Sequence, residues 1–157
     1  MHQTSCILFL FLAALPIALA WDHFQFDVTL FCNYHDRTKY NLKIEWWEYD
    51  SVLSGEDQIT QPKVFKPNTG RYSFTMAGAM DGDEWLSKGY KPRAYISHDC
   101  TADQKRVDLD LTVVKLCKPP NTCHYRIIQD ITNRSGSEEI EHNGFKENDM
   151  SPFADYP

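Results

Sequence analysis

The stretch Phe24-Gln25-Phe26-Asp27-Val28-Thr29-Leu30-Phe31-Cys32 alternates with a period of two. Phe24, Phe26, Val28, Leu30 and Cys32 share one face, and Gln25, Asp27 and Thr29 share the other. Successive side chains of an extended chain point to opposite sides, so the pattern predicts a strand with one buried and one wet face. It also points Cys32 into a core.

The same grammar recurs downstream. Over 41–50, Leu42, Ile44 and Trp46 alternate with Lys43, Glu45 and Trp47. After the turn Pro67-Asn68-Thr69-Gly70, Tyr72, Phe74 and Met76 alternate with Arg71, Ser73 and Thr75, and Gly78 closes the run. Asn and Gly suit such a turn because they tolerate its backbone angles. A fourth strand begins at Pro92, with Ala94, Ile96, His98 and Cys100 on one parity. A fifth spans 106–116, carrying Val107, Leu109, Leu111 and Val113, and a sixth spans 123–131, with Tyr125 and Ile127 together. A weaker strand at 59–65 contains Pro62, which confines it to a sheet edge. The segment 83–88 has room for one helical turn, and no long helical period occurs. Six or seven short strands punctuated by Gly and Pro predict an all-β fold, an antiparallel β-sandwich of about seven strands.

Upstream, residues 7–20 are apolar and end in Ala18-Leu19-Ala20, the small-residue pattern of a signal-peptidase site. The run is short of the ~20 residues a membrane-spanning helix needs, and no later segment is apolar enough to span a bilayer. Residues 1–20 are therefore read as a signal peptide and the protein as secreted. Of five cysteines, Cys6 leaves with the leader, and Cys32, Cys100, Cys117 and Cys123 remain. An even number in an oxidising compartment implies disulfides. Cys32 and Cys100 end two strands on core-facing parity, and their bridge closes a loop of about 69 residues, for roughly 4 kcal/mol in the chain-entropy model. Cys117 and Cys123 flank Pro119-Pro120, and a bridge there contributes on the order of 2 kcal/mol. Four cysteines permit three pairings; parity and loop length favour this one.

A mature chain of 21–157 suits one domain with a real core. A net charge of −6 argues against a nucleic-acid partner, which usually meets a basic face. Glu138, Glu139, Glu141, Glu147, Asp149 and Asp155 meet only Arg134 and Lys146 beyond position 131. The domain is accordingly expected over 21–131, with 132–157 a mobile acidic tail.

The order of these features resembles the secreted transthyretin-like family of nematodes. Cys32 stands at the end of a first strand, Gly70 and Tyr72 enter a turn-to-strand segment closed by Gly78, and Pro92, Ile96, His98 and Cys100 form a Pro-x-x-x-Ile-x-His-x-Cys segment. The likeness covers about 24–112. The chain departs from the family at Val28, where Gly is usual, at Tyr34-His35-Asp36-Arg37, which replaces Lys-Pro, and in its additional Cys117/Cys123 pair. The resemblance implies a transthyretin-like sandwich acting outside the cell, and brings no ligand with it. A sister group of that fold hydrolyses 5-hydroxyisourate with histidines, an arginine and a C-terminal Tyr-Arg-Gly-Ser. Here Tyr125-Arg126 is followed by Ile127-Ile128, and His23, His35, His98, His124 and His142 form no recognisable catalytic pattern. No catalytic residue, cofactor or metal site is assigned. His98-Asp99-Cys100 is read as a core histidine beside a disulfide, because no cysteine stands at zinc-ligand spacing around it.

Binding is the remaining reading. Trp46 falls on the core parity of its strand, whereas Trp47 and Tyr49 point outward. With Trp85 in the acidic loop 79–90, they form the candidate binding face for an extracellular protein or cell-surface component. A carrier of a small hydrophobic ligand is the alternative. Asn133-Arg134-Ser135 is an N-glycosylation sequon, and Asn121-Thr122-Cys123 is its rarer cysteine form.

Overall fold

The computed structural model describes residues 21–49, 55–81, 89–118 and 122–141. Nine strands run through them: β1 (Trp21–Cys32), β2 (Leu42–Tyr49), β3 (Glu56–Gln58), β4 (Lys63–Phe65), β5 (Gly70–Asp81), β6 (Pro92–His98), β7 (Val107–Val113), β8 (Cys123–Asp130) and β9 (Gly136–Ile140). They form two sheets, one ordered β5-β1-β8 and the other β3-β2-β6-β7-β9, with β4 also beside β2. The fold is an all-β sandwich with no helix among the described residues.

The alternating strands bury the parity that their apolar residues mark. Phe24, Phe26, Val28, Leu30 and Cys32 of β1 are all buried, as are Leu42, Ile44 and Trp46 of β2. The sheets meet through stacked rings. Phe26 of β1 lies 4.0 Å from Trp46 of β2, nearly parallel at 4°. It also stacks on Tyr125 of β8 at 5.5 Å. Each such ring removes a large apolar area from water, the dominant favourable contribution to folding.

The Cys32–Cys100 disulfide ties the end of β1 to the residues just beyond β6, and so joins one sheet to the other. Cys117–Cys123 closes the connection that enters β8. Beside it, the backbones of Tyr90 and Cys117 exchange hydrogen bonds at 2.7 and 3.1 Å. The Tyr90 hydroxyl donates to the buried Asp22 carboxylate at 2.6 Å, which anchors the first residues of β1.

Three expectations are corrected. First, the sandwich is not wholly antiparallel, since β1–β8 and β7–β9 are parallel pairs. A period of two records which face a residue occupies, and is blind to strand direction. Second, of the weak strand expected at 59–65 only 63–65 forms one, as β4, and a separate short strand, β3, precedes it at 56–58. β3 pairs Trp47 to Tyr49, β4 pairs Leu42 to Ile44, and the chain between them forms an arch that stays bonded to β2. There the Ile59 and Thr60 amides both donate to the Trp46 carbonyl, at 2.9 and 3.1 Å. The arch crosses β5 at Gly78, where a Cβ would stand 2.0 Å from the Ile59 carbonyl oxygen, so only glycine fits. Third, the domain does not stop at 131. Residues expected in the tail form β9, which extends the larger sheet alongside β7. Ile140 packs against the core, and its carbonyl accepts from the Val114 amide at 3.0 Å. Of that tail, 142–157 lie outside the described residues.

Candidate functional site: the outer face of the larger sheet

The register places a group of large side chains on the wet face of β2 and β6. Trp47 stands opposite Arg93, and Glu45 opposite Tyr95. Tyr49 follows one outward position beyond Trp47, and its amide donates to the Lys91 carbonyl at 3.0 Å. Trp47, Tyr49, Arg93 and Tyr95 are all half-buried. Trp46, their neighbour on the opposite parity, is fully buried.

These side chains are held in place by one another. The Arg93 guanidinium carbon lies 3.4 Å from the centroid of the Tyr49 ring, a close cation–π contact. Arg93 Nε donates to Thr112 Oγ1 at 2.8 Å, and its Nη1 lies 3.6 Å from Glu56 Oε1. The Tyr95 hydroxyl donates to both oxygens of the Glu56 carboxylate at 2.7 Å. Burial and that carboxylate hold the Tyr95 phenol above its ordinary pKa, so it remains a donor. The Trp47 ring meets Tyr95 edge-on at 6.4 Å. The result is a strip of three aromatics and one arginine, tied to β3 through Glu56 and to β7 through Thr112. Lys43 and Glu45 pair at 2.8 Å beside it.

The other sequence-derived candidates fall elsewhere. Trp85 and most of the loop 79–90 lie outside the described residues. His98 is buried in the core. Its Nδ1 accepts from the Cys100 amide at 3.2 Å. Burial lowers its pKa, with the Arg134 backbone and the Asp99 carboxylate partly opposing. Asp99 binds Arg37 at 2.9 Å and accepts from the Asn41 amide at 2.8 Å. Burial works against its ionisation, yet Asn41 and Arg37 outweigh it and hold the carboxyl below its usual range. Among the described residues no three His, Cys, Asp or Glu side chains gather as metal ligands, and no helix is long and apolar enough to cross a membrane.

One polar cluster escaped the sequence reading. On the outer side of β1 and β8, His124 Nε2 lies 2.7 Å from Asp27 Oδ2, and Gln25 Nε2 lies 3.2 Å from the same nitrogen. Thr75 also donates to Asp27, at 2.8 Å. His124 is fully buried and so offers no surface to a substrate. The available signal was parity, since all four lie on wet positions. What brings them together is the parallel pairing of Gln25 with His124, across 99 residues of chain.

No protein-family model matches the chain, and no curated protein matches it significantly.

Proposed function

We propose that the protein is a secreted, non-enzymatic binding module of transthyretin-like kind, and that it grips an extracellular protein or cell-surface component with the outer face of its larger sheet. The observation that carries this reading is the ordered strip of Trp47, Tyr49, Tyr95 and Arg93. Trp, Tyr and Arg are the residues on which binding energy concentrates at interfaces, and side chains already fixed by neighbours lose less entropy on binding. Two disulfides support an oxidising compartment, and the apolar leader supports export. The family reading draws support from the Cys32–Cys100 bridge, the close contact at Gly78 and the core position of His98, four residues on which the resemblance rests.

A second reading, carriage of a small ligand, is favoured by a groove of about 460 Å³ along the outer face of the β5-β1-β8 sheet, where Asp27, Thr29, Ser73, Arg126 and Ile128 line it. Between the sheets the stacked rings of Phe26, Trp46 and Tyr125 fill the core, so a carried molecule would lie in this outer groove. Phe74 and Ile128 give it apolar walls beside the charged Asp27 and Arg126, a lining that suits an amphipathic ligand. Photo-crosslinkers installed singly at Trp47 and at Ile128, in protein exposed to intact cell surfaces, separate the two. Capture of a macromolecule from position 47 alone supports the binding module. Capture from position 128 alone, or from neither, removes its basis.

A further inference from the structure

We propose that Asn133 carries an N-linked glycan, and that the fold holds this residue so that the glycan costs none of its structural bonds. Asn133 is exposed, at the turn between β8 and β9, in the sequon Asn133-Arg134-Ser135. Its φ is 56°, a left-handed conformation that Asn tolerates better than most side chains. Its amide donates to the Cys100 carbonyl at 2.9 Å, and its Oδ1 accepts from the Ala102 amide at 2.8 Å. Among the described residues Nδ2 makes no hydrogen bond, which leaves it as the one uncommitted polar atom of the side chain.

Glycosylation uses that atom. Nδ2 forms a bond to the anomeric carbon of an oligosaccharide carried on a lipid pyrophosphate. The carbon–oxygen bond to the pyrophosphate breaks, the lipid pyrophosphate leaves with the electron pair, and the amide gives up one proton. Oδ1 takes no part, so its bond to Ala102 survives. The glycan would stand at the end of the sandwich that holds the Cys32–Cys100 bridge. Of the aromatic strip, Tyr95 lies three and Arg93 five positions along β6 from His98, roughly 10 and 16 Å at strand rise, so the strip extends away from that end.

The inference rests on the extracellular reading, because this transfer occurs in the secretory pathway. The full chain would be expressed in insect cells with its own first 20 residues, and again with those residues replaced by a proven secretory leader. The expected result is loss of one glycan mass on treatment with peptide N-glycosidase, leaving an aspartate at that position. Ser135→Ala should abolish the glycan and keep the thermal midpoint of the deglycosylated protein, since Ser135 is exposed and Asn133 keeps its bonds. Asn133→Gln should abolish it and lower the midpoint, because Gln suits the left-handed backbone poorly and displaces the acceptor from Ala102. Absence of glycan on secreted protein with either leader overturns the proposal, as does a glycan that persists in Ser135→Ala. A glycan seen only with the replaced leader upholds Asn133 and overturns the extracellular reading of the native chain.

Discussion

Adjacent residues in β2 have opposite fates, and this gives the sharpest test at the residue scale. Trp46 is fully buried against Phe26, so Trp46→Ala should cost about 3–5 kcal/mol in denaturant unfolding. Trp47→Ser should cost about 1 kcal/mol or less, since it loses only a half-buried edge contact with Tyr95. The reverse order would mean that the register is shifted by one. Gly78→Ala should cost about 1–3 kcal/mol, because its new methyl meets a backbone carbonyl that cannot rotate away. An unchanged midpoint would show that the arch at Ile59 does not cross there. His98 gives a pH signature. Burial lowers its folded pKa beneath the ordinary 6.5, so in that window the unfolded chain binds the proton more readily. Stability from this site is therefore complete above about pH 6.5 and falls as pH drops towards the folded pKa. The depressed Asp99 acts in the same direction at lower pH: its contribution is present above 3.8 and is lost as pH falls through its folded pKa. In thermal melts across pH, His98→Gln should flatten the upper part of that decline and leave the lower part; an unchanged profile would mean that His98 does not drive it.

At the scale of elements, six alternating runs were legible because each covers one wet and one dry face, and the turn at 67–70 was marked by Asn68 and Gly70. β9 was not legible. Gly136-Ser137-Glu138-Glu139-Ile140 has a single apolar residue, and its place in the sheet comes from backbone pairing with β7. Its acidic character reads as solvated tail, although Glu138 accepts from Gln129 at 3.1 Å and from Arg134 at 2.9 Å. The strand therefore belongs to the fold. A chain of 21–131 should melt several degrees below one of 21–157, having lost five paired residues and the packing of Ile140. A chain ending at 141 keeps β9 and gives the reference. Equal midpoints for the two would show that β9 adds nothing to stability.

At the scale of the molecule, the outer aromatics were legible from parity alone: Trp47 and Tyr49 sit on the face the sequence indicated. Their partners were not. Arg93 and Tyr95 come from a strand more than 40 residues away and join them through the β2–β6 register, and Glu56 orders the group from β3. The groove on the smaller sheet was equally hidden, because it depends on a parallel pairing of the first and eighth strands. If the strip on the larger sheet is the contact surface, its outward aromatics carry the binding. The direct measurement is capture of any macromolecule crosslinked from position 47, by the wild-type 21–157 chain and by the same chain carrying Trp47→Ser/Tyr49→Ser, at temperatures where both are folded. The double variant should lose at least about tenfold in affinity, equivalent to about 1.4 kcal/mol, while its thermal midpoint stays close to wild type. Undiminished capture by a folded double variant would contradict it and place the contact elsewhere on the molecule.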